Sequence, residues 1–398
     1  MKAVWQTVKL GERFKIRSSK RVLQSEWKTE GVPFYRGREV TILSKSGSVD
    51  NELFISEAHF KELSTKYGVP VAGDIILTAI GTIGNAYVVK QNDRFYFKDA
   101  SVLWIAGCAE FDSNFVNYWI KSDHFKGQLD SGNGATVDTL TLDKLKCIEI
   151  PLPPLAEQKR IVALLDEAFT GIDEAKAKAE ANLGNAIGLF EMVREDSMRE
   201  PEAQTTSYGF DEICKVDSVL VDPRESTNAA KLHVGGANIE SKTGRLIALQ
   251  TARQEGLKSG KFPFQEGMVL YSKIRPNLMK VARPDFDGLC SADMYPLAPV
   301  DGRVCRDYLY HLLLTERFTR FALLGSERAG MPKVNRDYLS RFTTKLPSIN
   351  EQQALASKLD SLDQSLRLLR ELLTNKLAAL QELKSSLLSQ AFAGELTA

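Results

Sequence analysis

The sequence has no long apolar run. No stretch of about 18 apolar residues, the length of a membrane-spanning helix, occurs among its 398 residues. The first residues, Met1-Lys2-Ala3-Val4-Trp5-Gln6, also lack the apolar segment of a secretory signal peptide. We therefore expect no membrane span and a location in the cytoplasm.

Cysteine is scarce and scattered. There are five cysteines, an odd number, and no two of them form a CxxC pair. Zinc sites and disulfide frameworks need paired or clustered cysteines. The spacing therefore indicates reduced thiols and predicts no metal site; the five are Cys108, Cys147, Cys214, Cys290 and Cys305.

Known catalytic motifs are also missing. Residues 256–262 have the wrong spacing for a phosphate-binding loop and lack the hydroxyl residue that should follow the lysine. The amino-methyltransferase pattern of Asp, Asn or Ser followed by Pro-Pro and an aromatic residue does not occur, and residues 293–296 contain only part of it, in another order. The four histidines are isolated from motif partners. We expect no catalytic residue in this chain.

Size and charge indicate two basic modules. With 43% hydrophobic and 26% charged residues, the chain is long enough for two globular units and additional helices. The net charge is only +1, but residues 1–45 carry 11 basic and 4 acidic side chains, and residues 242–283 carry 9 and 2. One such cluster is as compatible with a solvated surface as with a binding site. Two clusters favour a polyanionic partner such as nucleic acid.

The most informative feature that is present is an internal repeat. Residues 151–158, Pro-Leu-Pro-Pro-Leu-Ala-Glu-Gln, return 194 positions later at 345–352 as Lys-Leu-Pro-Ser-Ile-Asn-Glu-Gln. The same offset pairs Gly73 with Gly267, Leu145 with Leu339 and Asp166 with Asp360. Such duplication predicts an α+β protein with two similar α/β domains in a pseudo-twofold arrangement. The predicted domains are residues 1–153 and 201–345, each followed by a helical segment, residues 154–200 and 346–398.

Both helical segments carry an apolar heptad pattern, interrupted by a polar residue at equivalent places. The pattern is typical of a coiled coil, with an ordinary amphipathic helix on its own domain as the alternative. Because each helix leads away from its module, the pair should be antiparallel. A helix over residues 157–195 would span roughly 58 Å and could hold two modules one or more turns apart on DNA. The predicted seam residues are Ile161, Leu165, Ile172, Asn182, Leu189, Leu355, Leu359, Leu366, Lys376 and Leu383.

The modules combine short strands with glycine-bearing turns. Residues 74–80 and 85–89 read as strands around Gly81-Thr82-Ile83-Gly84, and the second module offers strands over 268–272 and 280–282. The Gly-x-x-Gly sequence also occurs in KH domains, but a plain hairpin is the simpler interpretation. Polar loops at 131–136 and 328–335 differ in sequence where the framework agrees, which is typical of divergent readers on one scaffold.

Side-chain chemistry selects candidate DNA contacts in these loops. Lys and Arg can bind phosphate or guanine, and Asn can bind adenine. For any single residue, a surface turn that contacts nothing is the alternative. The candidates are Lys20, Arg21, Thr82, Asn85, Asn133 and Thr136 in the first module, and Lys273, Arg275, Asn277, Lys280, Lys333 and Asn335 in the second.

The order of these parts resembles the specificity (S) subunit of Type I restriction-modification systems. The resemblance rests on the two Glu-Gln junctions into long helices and on the ending Ala391-Phe392-Ala393-Gly394-Glu395-Leu396, and it covers essentially the whole chain. It implies two target recognition domains, each reading one half of a bipartite, asymmetric site in double-stranded DNA, separated by an antiparallel coiled coil. One departure is Ser348-Ile349-Asn350, which replaces the Pro-Leu-Ala of the first junction, so docking there could differ in detail.

The resemblance also implies partners and the place of the cofactors. Two methyltransferase (M) subunits would dock on this chain and methylate adenine with S-adenosylmethionine, and endonuclease (R) subunits that use ATP and Mg could join. No cofactor is expected in this chain itself. Two alternatives stay open: a catalytic DNA methyltransferase or nuclease with unrecognised motifs, and a coiled-coil scaffold without a DNA role.

Overall fold

The computed structural model describes residues 5–129, 139–202, 206–216, 219–326 and 332–396. The chain forms two compact units. Unit 1 comprises Met1–Ala179 and Thr374–Ala398, and unit 2 comprises Glu180–Leu373. No helix within the described residues is both long enough and apolar enough to cross a membrane.

Unit 1 contains three sheets. A four-stranded antiparallel sheet lies beside a three-stranded mixed sheet, and a two-stranded ribbon joins the start of the unit to the segment just before the first long helix. The strands are β1 (Gln6–Lys9), β2 (Ile16–Ser18), β3 (Val32–Tyr35), β4 (Phe54–Ile55), β5 (Ile75–Thr78), β6 (Ala86–Val88), β7 (Tyr96–Phe97), β8 (Val102–Ile105) and β9 (Glu149–Leu152). The sheet orders are β2-β8-β5-β6, β4-β3-β7 and β1-β9.

Six short helices of unit 1 precede the first long helix. They are α1 (Leu10–Arg13), α2 (Gly37–Ser46), α3 (Glu57–Tyr67), α4 (Ser113–Lys121), α5 (Asp123–Leu129) and α6 (Leu142–Cys147), and the long helix is α7 (Leu155–Ser197). All four residues of β5 are buried, as expected for a central strand covered on both faces. Helix α4 begins after Asp112, whose carboxylate accepts the backbone N–H groups of Asn114 and Phe115 at 2.9 and 3.1 Å.

Among the described residues, unit 2 repeats this plan with one additional strand and one short helix fewer. Its strands are β10 (Ser207–Gly209), β11 (Cys214–Val216), β12 (Leu232–Val234), β13 (Gln250–Thr251), β14 (Phe262–Phe264), β15 (Val269–Ser272), β16 (Val281–Ala282), β17 (Gly288–Cys290), β18 (Met294–Pro299) and β19 (Thr343–Lys345). Its helices are α8 (Phe210–Ile213), α9 (Ser226–Ala229), α10 (Arg306–Leu313), α11 (Glu316–Leu324) and α12 (Arg336–Leu339), followed by α13 (Ile349–Phe392).

The sheets of the two units correspond strand by strand. The order β11-β18-β15-β16 matches β2-β8-β5-β6, and β13-β12-β17-β14 matches β4-β3-β7 with one strand added at its edge. In both second sheets the central pairing, β3 with β7 and β12 with β17, is parallel. Strands β5 and β15 are separated by the offset of 194 that the sequence shows. The predicted duplication is therefore present in the fold.

The two long helices run antiparallel within each unit, as predicted. In unit 1, Lys384 of α13 lies 3.1 Å from Asp173 of α7, and Arg160 donates to the carbonyl of Leu396. In unit 2, Asp363 of α13 lies close enough to α7 to affect the pKa of Arg194, which burial lowers. Helix α7 extends two residues beyond both ends of the predicted helix over residues 157–195.

Burial along these helices follows part of the predicted seam. A predicted seam residue is buried where it also lies on the side of the helix that faces the core. They include Ile161, Leu165, Ile172 and Leu359, and the side chains of Leu355 and Leu366 are half-buried.

Four predicted seam positions are exposed. Leu189 is 59% exposed and Leu383 is 46% exposed, and the polar residues Asn182 and Lys376 are exposed as well. In this turn of α7, Phe190 is buried instead of Leu189, one position earlier. A straight helix has 3.6 residues per turn, so its core-facing side drifts away from a strict repeat of 3.5.

A buried glutamine fixes the start of α7 to the rest of unit 1. Gln158 is fully buried. Its amide nitrogen donates to the carbonyls of Glu110 and Pro153, each at 2.9 Å, and its amide oxygen accepts the N–H of Asp112 at 2.8 Å. The same side chain thus joins the junction before α7 to the segment before α4.

Gln352 makes the equivalent set of bonds in unit 2. Its amide nitrogen donates to the carbonyls of Arg303 and Pro347, each at 2.9 Å, and its oxygen accepts the N–H of Cys305 at 3.0 Å. The departure at the second junction also has a local explanation. Ser348 caps α13, because its backbone N–H donates to the carboxylate of Glu351 at 2.9 Å in a capping-box arrangement.

Candidate nucleic-acid interface

The tip of the β5–β6 hairpin carries two predicted contacts in unit 1. The hairpin, rather than a KH-type loop, is what the structure shows at this place. Ile80 forms a bridge with Thr139, and the N–H of Leu140 donates to the carbonyl of Ala79 at 2.7 Å. The tip is thereby joined to residues 139–140, just before α6. Thr82 is exposed at this tip.

Unit 2 builds the same junction from different side chains. Ile274 forms a bridge with Lys333, and the N–H of Val334 donates to the carbonyl of Lys273 at 2.9 Å. These positions match those of unit 1 at the offset of 194. Sequence positions about 60 residues apart thus meet at one surface, and this brings together the predicted contacts Lys273, Arg275 and Lys333. Asn277 lies in the 3-10 turn that follows Arg275 and is exposed.

The unit 2 junction is electropositive. Burial lowers the pKa of Lys273, and the positive charge of Lys333 lowers it further. The Lys273 ammonium also lies 5.0 Å from the ring centre of Tyr295. A cation that is desolvated and close to a second cation is stabilised by a nearby anion, so the junction suits a phosphate-bearing or otherwise electron-rich ligand.

The polar side chains of three predicted DNA contacts form hydrogen bonds to other residues of the chain. The Asn85 amide donates to the hydroxyl of Thr41 at 3.1 Å, and the Lys280 ammonium donates to the carbonyl of Gly236. Asn335 caps α12, because its side chain accepts the N–H of Tyr338 at 2.8 Å. These bonds hold the loops in place.

Two further candidates lie against the other sheet of unit 1. Lys20 donates its backbone N–H to the hydroxyl of Tyr96 at 3.0 Å, and its ammonium lies 5.9 Å from the ring centre of Tyr67. Arg21 is the next residue and is exposed. Asn133 and Thr136, also predicted as contacts, lie outside the described residues.

The sequence prediction missed two exposed groups at these places. Arg336, the first residue of α12, adds a positive charge beside Lys273 and contributes to the lowering of its pKa. Tyr67 is 40% exposed, with the ammonium groups of Lys20 and Lys66 near its ring. Arg336 directly follows the loop that the sequence singled out, so extending that loop by one residue would have found it.

Among the described residues, no cluster of three or more His, Cys, Asp or Glu side chains is placed to hold a metal ion. His233 and His311 each pair with one carboxylate, Glu255 and Asp360, at 2.9 Å. What the described sites offer is therefore positive charge, hydrogen-bond donors and exposed loops, which are the features of a binding protein for an acidic polymer.

The fold and these loops define a duplicated DNA-recognition protein, and the comparisons give its family. The family model described as Type I restriction modification DNA specificity domain matches residues 3–183 and 211–378. The chain belongs to this family.

Curated relatives carry the same designation. The Type I restriction enzyme EcoDI specificity subunit of Escherichia coli is 29% identical over 314 residues, covering 71% of this chain and 70% of that protein. The Type I restriction enzyme EcoKI specificity subunit of Escherichia coli strain K12 is 22% identical over 317 residues, covering 72% of this chain and 66% of that protein.

Solved structures share the fold along nearly the full chain. A chain from a structural study of complex assembly and conformational transition of the type I R-M system has a TM-score of 0.76 at 18% identity, covering 98% of each chain. The HsdS subunit from Thermoanaerobacter tengcongensis has a TM-score of 0.60 at 18% identity, covering 98% of this chain and 97% of that one.

Proposed function

We propose that unit 1 and unit 2 each read one half of a bipartite, asymmetric site in double-stranded DNA. The observation that carries this proposal is the repeated junction, in which the bridges Ile80–Thr139 and Ile274–Lys333 hold a hairpin tip against the segment that precedes α6 in unit 1 and α12 in unit 2. The framework is the same in both units, whereas the exposed side chains differ. Two similar scaffolds with different side chains suit two different half-sites.

The long helices set the distance between the half-sites in this proposal. Helix α7 has 43 residues and α13 has 44. At 1.5 Å per residue such a helix is roughly 65 Å long, close to two turns of a DNA duplex. Because each helix contributes to both units, a fixed helix length favours a fixed spacer length.

The chain supplies sequence specificity, and catalysis belongs to partner subunits. Support comes from the specificity-subunit family and from loops whose described side chains donate hydrogen bonds and positive charge. Two M subunits would dock on this chain and transfer the methyl group of S-adenosylmethionine to adenine, and R subunits with ATP and Mg would join them. Such a complex would act on DNA in the cytoplasm.

Reconstitution with purified subunits tests this division of labour. The chain alone, incubated with S-adenosylmethionine and DNA, should transfer no methyl group, and adding the cognate M subunit should give methylation confined to a split site. Methyl transfer or cleavage by the chain alone would identify it as an enzyme. Binding to DNA no better than to heparin at matched charge, even with the M subunit present, would identify it as a scaffold without sequence recognition.

A further inference from the structure

Arg275 lies at a backbone position where unit 1 has a glycine, Gly81. The matching bridges place Arg275 and Gly81 at the same point of the hairpin tip, one residue after Ile274 and Ile80. Both residues have a positive φ, 48° for Arg275 and 74° for Gly81. The tip thus requires a left-handed residue in both units, and only unit 1 uses the residue type that adopts it without steric cost.

A left-handed arginine is an unfavourable choice for the fold. The Cβ atom of an L-residue approaches its own backbone in this conformation, so non-glycine residues there are strained. No neighbouring atom forces the choice at the counterpart, because a Cβ built on Gly81 meets nothing within 4 Å. The space around the tip therefore does not explain why unit 2 has an arginine at this position.

The backbone around Arg275 is held firmly. Its N–H donates to the carbonyl of Pro332 at 2.9 Å, and its carbonyl accepts the N–H of Leu278 at 2.9 Å. Pro276 follows it and starts a 3-10 turn that ends at Leu278. The Cα–Cβ bond of Arg275 therefore leaves the loop in a fixed direction, and the backbone at this point does not need to become ordered when a ligand binds.

The guanidinium itself is available. Arg275 is exposed, and among the described residues its guanidinium has no hydrogen bond, ion pair or ring contact. The neighbouring Lys273 and Lys333 already give the junction its positive charge. Neither of them has a positive φ. Attraction for phosphate alone would not require a strained residue, since a flexible lysine on relaxed backbone provides it.

We propose that Arg275 is a base-reading residue that donates two hydrogen bonds to O6 and N7 of a guanine in the major groove of the half-site bound by unit 2. The planar guanidinium fork matches these two acceptors, and this contact needs a fixed direction as well as charge. The strained backbone supplies that direction. The assignment rests on the proposed function of the two units as DNA readers.

Replacing Arg275 by glycine separates recognition from folding. In the full chain assembled with its M subunit, Arg275→Gly should weaken binding to a duplex carrying both half-sites by roughly 10–100-fold. The loss should disappear when the unit 2 half-site is already scrambled. The midpoint of thermal unfolding should rise by about 2 °C, since glycine relieves the strain. The half-sites are first defined by mapping methylated adenines in cells that carry the wild-type complex.

Two further variants make the result decisive. Arg275→Lys keeps the charge and loses the fork, so it should lose discrimination for the guanine while keeping most non-specific binding. Met279→Gly relaxes the other left-handed residue of the same loop, at φ 47°, without removing a cation, and should leave binding within about twofold.

Three outcomes would overturn the inference. These are full specificity of Arg275→Lys, unchanged binding by Arg275→Gly, and a lower unfolding midpoint for Arg275→Gly, which would make Arg275 a structural residue. Failure of the proposed function would look different, because the wild-type complex would then show no split recognition site at all.

Discussion

At the scale of single residues, two buried glutamines explain why the Glu-Gln pair occurs at both junctions. Gln158 and Gln352 are 0% and 1% exposed, and each satisfies two carbonyls and one N–H from separate segments. Backbone groups that are buried without a partner are costly, so each amide stabilises the place where a module meets its helix. The adjacent glutamates serve different local bonds, Glu157 with Arg160 and Glu351 with Ser348.

Replacing either glutamine by leucine should destabilise the protein. Leucine has a similar size but leaves one buried N–H and two buried carbonyls unpaired, and we expect Gln352→Leu to lower the free energy of unfolding by about 2–4 kcal/mol. Urea-induced unfolding followed by circular dichroism measures this. Gln353→Leu is the matched control, because Gln353 is exposed and adjacent, and it should change the free energy by less than about 0.5 kcal/mol. Equal effects of the two substitutions would contradict the assigned role of Gln352.

An ion cluster in unit 2 makes a second residue-scale prediction. Arg283 contacts Asp360 of α13 and lies 2.6 Å from Asp307, and the Nε2 atom of His311 lies 2.9 Å from Asp360. Burial alone would raise the pKa of Asp360, but the hydrogen bonds from His311 and Arg283 outweigh it and lower the pKa to about 2.

A carboxyl with a lowered folded-state pKa stabilises the fold above its unfolded pKa, and this contribution is lost as the pH falls through about 2. Asp360→Asn should therefore reduce stability by about 1–2 kcal/mol at pH 6, allowing for partial solvent screening, and by clearly less at pH 3. Comparison of urea midpoints at the two pH values measures the difference. Asp337→Asn, at an exposed position of α12, is the control and should change stability at pH 6 by less than about 0.5 kcal/mol. An equal loss for Asp360→Asn at both pH values would rule out an electrostatic origin.

At the scale of elements, the long helices are tied to module cores at both ends. Phe392 packs against Phe115 in unit 1 with ring centres 5.2 Å apart, and Phe190 belongs to the core of unit 2. The core-facing side of α7 therefore follows the packing of each unit, and it moves from Leu189 to Phe190 in the last turns. A heptad count carried along the sequence does not include this shift.

A pair of adjacent substitutions tests the shifted face. Phe190→Ala removes a 7% exposed ring and should cost about 3–4 kcal/mol, whereas Leu189→Lys changes a 59% exposed side chain and should cost less than about 0.5 kcal/mol. Thermal and urea unfolding of the isolated chain give both values. A large cost for Leu189→Lys with a small one for Phe190→Ala would restore the original heptad seam.

At the scale of the whole molecule, repetition is what the sequence predicts best. The offset of 194 predicts that β5 and β15 are counterparts and that both long helices begin just before a Glu-Gln pair. The site is predicted less completely. The loops around Lys273 and Lys333 could be selected by position, but whether a polar side chain faces solvent or closes a loop, as for Asn85 and Lys280, depends on neighbours distant in sequence. The backbone at Arg275 is likewise held by a hydrogen bond to Pro332, more than 50 residues away.

An exchange of one module tests the central claim most directly. Residues 201–345 would be replaced by the corresponding segment of another specificity subunit, and methylated adenines would be mapped across the genome of cells carrying the original or the hybrid complex. We predict that one half of the methylated site changes while the other half and the number of bases between them stay the same. A change in both halves, or in the spacing alone, would contradict two independent readers on helices of fixed length.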